Sequence, residues 1–484
     1  MTSLKICTLL FERLFCEDIL YCHWKSNLNL GKSCAGQTDF DLLVRIRDCE
    51  KFNTVLRDLE FKRIITPPSK QFPGIEDYLG FDSETGRLCH LHVHYKLILG
   101  QKYIKNHHLP IENIVLSDLR ILDSVYIPSA EMELLLLVIR SCMKLSIKNI
   151  LQYLLQNRKS FFPKNILNEF RFLLNDYKQY RFRDVLLKSG LPLSESRLLA
   201  FIEKLNNETL TIANILLLRF HIFKSLRPFR YQSYVKSYKK AFKLMLHMLP
   251  LINKIWPVPR KKLNGRGRSF SLVGADGSGK TTLVKDLIKW LSWKMQVRTF
   301  YFGIPKTLGL KVINKIVVNL RSLCQARGGK TFIPFLDSIQ NTLVAFKWVC
   351  IARKRLRIFN SFRKVAETGG VAITDRYPLA DFWNMDVPMD GPRIRKEGGN
   401  GGWKWADREE QLYLLFRSPT KVFVLKASIA VLRKRRNDLN PVSHNIKAEA
   451  VHSIEESHEI CAIDANRPYD EVLINLKRKI WELL

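Results

Sequence analysis

At 484 residues, 46% of them hydrophobic, the chain is long enough for two or three packed domains, which excludes both a single small domain and a disordered protein. The formal net charge of +34 favours anionic partners such as nucleotides, nucleic acid, phosphorylated intermediates or an acidic membrane surface, without choosing among them. The ten cysteines form no CxxC pair or zinc-ligand spacing, the first residues lack the apolar core of a signal peptide, and the apolar run 134–139 is too short to span a bilayer. We therefore expect a cytoplasmic protein.

Residues 1–128 alternate short apolar runs with turns, and their period-two spacing predicts strands mixed with helices. Asp39 and Asp41 lie two apart on one predicted strand, so both carboxylates are expected on the same face. Such a pair can bind one or two Mg²⁺ ions around a triphosphate.

This pattern resembles the nucleotidyltransferase superfamily, in which a glycine-serine turn precedes a D-x-D strand. The segment 25–27, Lys-Ser-Asn, occupies the place of that turn. The resemblance implies an α+β nucleotidyltransferase-like domain over 1–128, with Asp39 and Asp41 as metal ligands.

A histidine, His92, stands where that superfamily has its third carboxylate, so an active nucleotidyltransferase and a domain that only binds or scaffolds both stay open. His90, His92 and His94 alternate along one predicted strand. They indicate either a metal site or a solvated, hydrogen-bonded face.

Residues 129–256 have the spacing of helices and form a basic helical region. No Asp or Glu occurs between Thr209 and Ala275, an interval that holds fourteen Lys and Arg. The segment 219–256, in which aromatic and basic residues interleave, is compatible with a nucleic-acid backbone, an anionic membrane surface, or a helix that packs its apolar side inward. Residues 257–269, rich in Pro, Gly and basic residues, predict a linker.

The segment SFSLVGADGSGKTTLVKDLIKWL has an apolar strand, a glycine loop and an amphipathic helix, which is the context that the GxxxxGK[ST] pattern requires. Backbone N–H groups of such a loop point at the phosphates of a nucleoside triphosphate, and the helix N-terminus adds partial positive charge. Lys280 then contacts the β- and γ-phosphates, and the Thr281 hydroxyl is a Mg²⁺ ligand. The residues predicted to bind ATP are Gly274, Asp276, Gly277, Ser278, Gly279, Lys280, Thr281 and Thr282.

The C-terminal part, roughly residues 268 to 484, resembles the thymidylate-kinase type of nucleoside monophosphate kinase. Four motifs occur in that family's order: GADGSGKTT, GGVAITDRYP at 369–378, KVFVLKASIAVLRKRR at 421–436 and IDANRPYDEV at 463–472. The resemblance implies an α/β P-loop kinase domain with a parallel sheet over 270–484. It also implies Mg²⁺-assisted phosphoryl transfer from ATP to a nucleotide or another small phosphorylated acceptor. Similar two-part chains with a kinase-like C-terminal half occur in bacteria, which implies a bacterial source.

The same resemblance assigns roles to charged residues. Asp375, at the end of a strand, holds Mg²⁺ through water, and Arg376 faces the same cleft as a catalytic and substrate-binding group. Arg355 holds the acceptor phosphate, and Asp276 approaches the acceptor sugar or an acceptor-side arginine. The arginines of the lid helix, which close over the phosphates, are Arg433, Arg435 and Arg436.

The chain departs from that family where the acceptor is recognised. Gly303-Ile304-Pro305 stands in place of Arg-Glu-Pro, and no Tyr-Gln pair follows the DRY segment, which disfavours thymidylate as acceptor. Two other functions stay open: nucleotidyl transfer by the N-terminal domain with a regulatory P-loop domain, and a binding module switched by nucleotide. The sequence also leaves the oligomeric state open.

Overall fold

The computed structural model divides the chain into two compact units, residues 1–261 and 262–484. It describes residues 2–101, 104–145, 162–246, 249–255, 259–304, 315–316, 318–319, 322, 333–383, 390–394, 402–436 and 441–484.

The first unit combines sheets and helices. Its strands are β1 (Tyr21–His23), β2 (Phe40–Val44), β3 (Lys62–Ile65), β4 (Ile75–Phe81), β5 (Leu88–His94), β6 (Leu97–Gln101), β7 (Ile104–Leu109), β8 (Leu119–Leu122) and β9 (Val125–Pro128). Its helices are α1 (Lys5–Cys16), α2 (Leu30–Cys34), α3 (Cys49–Asp58), α4 (Glu112–Val115), α5 (Ala130–Lys144), α6 (Lys164–Asn175), α7 (Gln179–Ser189), α8 (Glu195–Asn206), α9 (Ile212–Ser225), α10 (Tyr234–Leu246) and α11 (Pro250–Ile255).

Five of these strands lie side by side in the order β1-β2-β5-β4-β3. β2 runs parallel to β5, whereas β1 is antiparallel to β2 and β4 is antiparallel to both β5 and β3. The strand β5 alternates apolar residues with histidines, so Leu91 and Val93 join the apolar core on one face of the sheet. The histidines therefore lie on the opposite face.

That opposite face is covered by helices. Leu43 of β2 belongs to a second apolar core that α5 fills with Leu134 to Val138 and their neighbours. The side chain of Ser129 caps α5 by accepting a hydrogen bond from the backbone N–H of Met132. The apolar run 134–139 is thus part of a buried helix, and no helix in the described ranges has the length and apolar character needed to cross a bilayer.

The second unit is an α/β fold. Its strands are β10 (Lys262–Leu263), β11 (Arg268–Gly274), β12 (Val297–Phe300), β13 (Val371–Thr374), β14 (Lys421–Lys426) and β15 (Ile460–Asp464). Its helices are α12 (Lys280–Leu291), α13 (Ile333–Glu367), α14 (Gly402–Leu414), α15 (Ile429–Arg435), α16 (Pro441–His452) and α17 (Tyr469–Leu483).

Five strands of this unit form a parallel sheet in the order β12-β13-β11-β14-β15. The parallel α/β sheet predicted for the C-terminal part is therefore present. The chain passes from β11 to β12 across β13, so the order reverses next to β11. Ligands of open parallel sheets bind beyond the carboxyl ends of the strands at such a reversal. Here those ends carry Gly274 and, just after β13, Asp375.

The structural boundary falls within the segment predicted as a linker. The second unit begins at residue 262, and residues 262–263 and 268–269 are already in strands. The predicted linker 257–269 therefore includes short strand segments, and its apolar Leu263 is buried. Residues 257 and 258 lie outside the described ones.

Candidate functional site

The glycine loop of the second unit connects the buried strand β11 to α12. Gly277 and Gly279 have φ values of 88° and 90°, a backbone region that favours glycine. At Gly274, a Cβ atom would lie 2.7 Å from Ser278 Oγ and 3.0 Å from the Leu425 carbonyl oxygen. The loop therefore needs glycine for its backbone turn at two positions and for close packing at the third.

The Lys280 side chain folds back over this loop. Its ammonium donates to the carbonyl oxygens of Gly274 at 2.8 Å and Ala275 at 2.7 Å. Burial lowers the pKa of Lys280 to about 8, although the nearby Asp276 acts in the opposite direction. The ammonium thus lies beside the glycine loop and lines the adjoining cleft, where it would favour an anionic ligand.

A hydroxyl group and a carboxylate lie close together beside Lys280. The Thr281 hydroxyl at the start of α12 donates to Asp375 Oδ2 at 3.2 Å, and Asp375 directly follows β13. A hydroxyl and a carboxylate next to a phosphate-binding loop are the donor set that holds Mg²⁺ in P-loop proteins. The residues fit Mg²⁺, which would neutralise charge on the phosphate oxygens there.

Helix α16 supplies contacts that the sequence patterns did not indicate. His444 Nε2 lies 2.8 Å from the Asp276 carbonyl oxygen, and Lys447 Nζ lies 3.3 Å from its carboxylate. Burial would raise the pKa of Asp276, but the Lys447 and Lys280 ammonium groups outweigh it and lower the pKa. Asp276 was expected to approach an acceptor sugar or an arginine, whereas its ion-pair partner here is Lys447.

A second cluster of charges centres on the buried Asp390. Arg376 Nη1 lies 3.6 Å from Asp390 Oδ2, and Arg355 Nη2 lies 3.1 Å from Asp390 Oδ1. Arg355 also donates to the Tyr413 hydroxyl at 2.6 Å, and its side chain is 1% exposed. Burial raises the pKa of Asp390, against the opposing effect of Arg355.

The predicted site residues do not all share one cavity. A cleft at the carboxyl ends of β11 and β13 is lined by Asp276, Lys280, Asp375 and Arg376, together with Asp390 and Lys447. Arg355 does not line this cleft, because its guanidinium is held behind Asp390. The sequence motifs thus predicted the residues that the P-loop and the DRY segment contribute to this cleft. They did not predict two further charged residues of its lining, Asp390 and Lys447.

The lid arginines differ in their positions. Arg436, which follows α15, lies against the loop, since a Cβ atom at Gly277 would be 3.4 Å from Arg436 Cγ. Arg433 donates to Asn445 of α16 at 3.2 Å, and Arg435 is exposed. Arg436 thus lies beside the glycine loop.

The depressed pKa of Lys280 predicts a proton linkage. Phosphates raise the pKa of a bound lysine, so ATP binding above about pH 8 should take up about one proton. The affinity for ATP is then highest below this pH and falls as the pH rises through the pKa of the free protein. Calorimetry in buffers of different ionisation enthalpy measures the uptake. Lys280→Arg should abolish it, because arginine stays protonated; equal uptake in that variant would contradict the assignment.

In the first unit, the D-x-D carboxylates face the histidines of β5. Asp39 Oδ1 lies 3.0 Å from His90 Nδ1, and Asp41 Oδ1 lies 3.1 Å from His92 Nδ1 and 3.5 Å from His94 Nε2. Lys25 Nζ lies 2.7 Å from the same Asp41 oxygen. The two carboxylates thus share a face of the sheet, and both have imidazole neighbours.

Neighbouring groups keep Asp41 ionised, and burial keeps His94 neutral. Burial would raise the pKa of Asp41, but Lys25, His92 and His94 outweigh it and hold the pKa well below its usual value. Burial lowers the pKa of His94 to about 3.

Asp77 of β4 was not indicated by the D-x-D pattern, because it lies on a different strand. It contacts His90 Nε2 at 3.1 Å and Lys261 Nζ at 2.6 Å. Its position opposite His92 in the β4–β5 register follows from strand pairing and not from local sequence.

No protein-family model matches the chain. The chain is 25% identical over 225 residues to the uncharacterized ATP-binding protein YghR of Escherichia coli K12, with 44% of this chain and 86% of that protein covered. It is 27% identical over 222 residues to the uncharacterized ATP-binding protein YghS of the same strain, with 43% of this chain and 89% of that protein covered.

Two solved structures resemble part of the chain. A deoxyadenosine kinase from M. mycoides with bound dATP has 14% identity and a TM-score of 0.29, and covers 44% of this chain and 98% of its own. A thymidylate kinase from Candida albicans has 16% identity and a TM-score of 0.28, and covers 45% of this chain and 92% of its own.

Proposed function

We propose that the second unit transfers the γ-phosphoryl group of ATP to a small phosphorylated acceptor. The observation that carries the proposal is the convergence of Lys280, Thr281, Asp375 and Arg376 at the carboxyl ends of two adjacent parallel strands. The ATP-binding names of the relatives YghR and YghS support the choice of nucleotide.

Each group has a role that follows from the charge of the reaction. Phosphoryl transfer requires that reactants be held in line and that negative charge on the transferred group be neutralised. Lys280 would contact the β- and γ-phosphate oxygens, and Thr281 and Asp375 would hold Mg²⁺. Arg436 lies against the glycine loop and closes over the phosphates. Arg376 lines the cleft beside them and binds the transferred group or the acceptor.

The lining of the cleft is charged, which favours a polar acceptor. Arg376 and Lys447 offer cations, while Asp276 and the buried Asp390 offer carboxylates in the same cleft. Arg355 acts indirectly as a positioning residue, because it holds Asp390 and does not contact the acceptor phosphate itself.

Mass spectrometry of the full chain with ATP, Mg²⁺ and a panel of nucleoside monophosphates and sugar phosphates tests the proposal. ADP together with a phosphorylated acceptor supports it and identifies the acceptor class. Pyrophosphate with an AMP-modified product that is lost in Asp39→Ala would overturn it and assign the activity to the first unit.

We propose a second role for α10, as a surface that binds an anionic membrane. Val235, Tyr238, Phe242 and Met245 are spaced by three, four and three residues, and each is 57% to 64% exposed. This exposed set, the apolar stripe, would be buried if the helix only packed inward. The side of α10 that packs against the protein carries two small residues and one larger apolar residue, namely Ser237, Ala241 and Leu244.

Charge complementarity favours a membrane as the occupant. Lys236, Lys239 and Lys243 of the same helix border the apolar stripe, and no acidic residue occurs between 209 and 275. A basic polar side beside exposed aromatic and aliphatic side chains is typical of helices that lie in the interface of an anionic bilayer.

Substitution within the stripe should weaken membrane binding. Burying a phenylalanine side chain contributes about 1.5–3 kcal/mol, so Phe242→Ser should lower partitioning to phosphatidylserine vesicles about tenfold or more. Leu187→Ser is the control, because Leu187 is 81% exposed on another helix, α7. Flotation with phosphatidylserine and phosphatidylcholine vesicles measures the effect. Equal loss in both variants, or binding to nucleic acid alone, would contradict the role.

A further inference from the structure

A group of two imidazoles and one carboxylate in the first unit has the form of a metal site. Asp41, His92 and His94 each offer one ligand atom, and these three atoms lie within 4.8 Å of one another. Asp41 comes from β2 and the two histidines from the adjacent parallel strand β5. Strand pairing therefore sets the spacing of the three ligands.

The distances match those between ligands of a small tetrahedral ion. With metal–nitrogen and metal–oxygen bonds of about 2.0–2.2 Å, neighbouring ligands of tetrahedral zinc lie about 3.3–3.5 Å apart. Asp41 Oδ1 is 3.1 Å from His92 Nδ1 and 3.5 Å from His94 Nε2. The third separation, between the two imidazole ligand atoms, is no more than 4.8 Å.

His94 supplies an independent indication. It is 1% exposed, its Nδ1 has no hydrogen-bond partner within the described part of the chain, and its Nε2 lies 3.5 Å from Asp41 Oδ1, at the limit of a hydrogen bond. A buried polar group without a hydrogen-bond partner is costly, and its Nε2 faces the Asp41 oxygen. A metal ion bound between them would satisfy that nitrogen.

We propose that Asp41, His92 and His94 bind one divalent transition-metal ion of the zinc class. Two imidazoles and one carboxylate suit such ions, whereas Mg²⁺ prefers oxygen ligands. Three protein ligands leave a fourth position open, as in catalytic zinc sites. The side chains of Asp41 and His92 are 17% and 24% exposed, so the group is not sealed from solvent.

Lys25 competes with the metal in this arrangement. Its ammonium lies 2.7 Å from Asp41 Oδ1, the atom shared by both histidine contacts. A divalent ion replaces this positive charge, so Lys25 must move away when metal binds. Removal of the ammonium therefore increases metal affinity, an effect opposite to that of removing a ligand.

Competition of the full chain with a chromophoric zinc chelator measures the affinity. His94→Ala and His92→Ala are expected to weaken zinc binding about 100-fold or more, and Lys25→Gln to strengthen it. His108→Ala is the control, because His108 Nε2 pairs with Glu112 Oε1 at 2.8 Å and His108 does not belong to the three-ligand group. Unchanged affinity in both ligand variants, or loss in the control alone, would mean a different site and overturn the proposal.

X-ray absorption at the zinc edge tests the wild-type chain directly, so the proposal does not depend on folding of the variants. The expected spectrum of a one-to-one complex contains scattering from two imidazoles and oxygen ligands. A spectrum without imidazole scattering, or failure to reach one zinc per chain, would overturn the proposal.

Discussion

Lys280→Ala is expected to lower kcat/KM for ATP-dependent phosphoryl transfer on the order of 10²–10³-fold, while the protein stays folded. The side chain is held by two carbonyl oxygens of the loop. In the proposed reaction its charge lies beside the β- and γ-phosphates. Its removal deletes a cation that stabilises charge in the transition state. It also leaves no buried carboxylate unpaired, because the Asp276 carboxylate keeps Lys447.

Lys289→Ala is the matched control, since Lys289 lies on the same helix and is exposed. Steady-state kinetics with the acceptor identified by mass spectrometry, together with circular dichroism of each variant, separates catalysis from folding. Full activity of Lys280→Ala, or equal loss in Lys289→Ala, would contradict the assigned role.

Arg140→Ala is expected to lower the free energy of unfolding of the first unit by about 3–5 kcal/mol. Arg140 of α5 pairs with Glu169 of α6, and their side chains are 4% and 5% exposed. Glu169 also accepts the backbone N–H of Ser26 at 3.0 Å. Without the guanidinium, a carboxylate remains buried without its positive partner.

Arg171→Ala serves as the control for this change. Arg171, also on α6, pairs with Glu208 at 2.9 Å, but their side chains are 67% and 76% exposed. Such an exposed pair contributes roughly 0–1 kcal/mol. Amide hydrogen exchange of α5, followed in the full chain, measures how much each of the two substitutions destabilises the first unit. Similar protection factors in the two variants would show that the buried pair does not stabilise the fold.

A neighbouring carboxylate makes the same region sensitive to pH. Glu133 of α5 accepts Asn27 Nδ2 at 2.8 Å, and burial raises its pKa to about 7. Because its pKa is raised in the folded state, Glu133 binds a proton more tightly there than in the unfolded chain. The stability that this proton contributes is complete below the ordinary carboxyl pKa and declines as the pH rises through about 7.

The predictable parts of the molecule are those set by local sequence. The glycine loop could be predicted because Gly274, Gly277 and Lys280 lie within one strand–loop–helix segment. The parallel sheet followed from alternating strands and helices. Asp375 could be placed because it ends an apolar strand.

The remaining contacts join residues far apart in the chain. Lys447 reaches Asp276 across 171 positions, and Asp390 lies 35 positions from Arg355. Local periodicity carries no information about such pairs, since they depend on how strands and helices pack. The family resemblance assigns Arg355 to an acceptor phosphate but gives no sign of the buried Asp390, which pairs with it in the fold.

Transfer of an isotopic label tests the central claim most directly. The full chain is incubated with Mg²⁺, the acceptor panel and ATP that carries ¹⁸O on its γ-phosphoryl group, and the products are resolved by mass spectrometry. We expect the label in a phosphorylated acceptor and unlabelled ADP, with both products lost in Lys280→Ala. Label found only in inorganic phosphate would indicate an ATPase, and label in pyrophosphate would indicate nucleotidyl transfer. Either result would contradict the kinase.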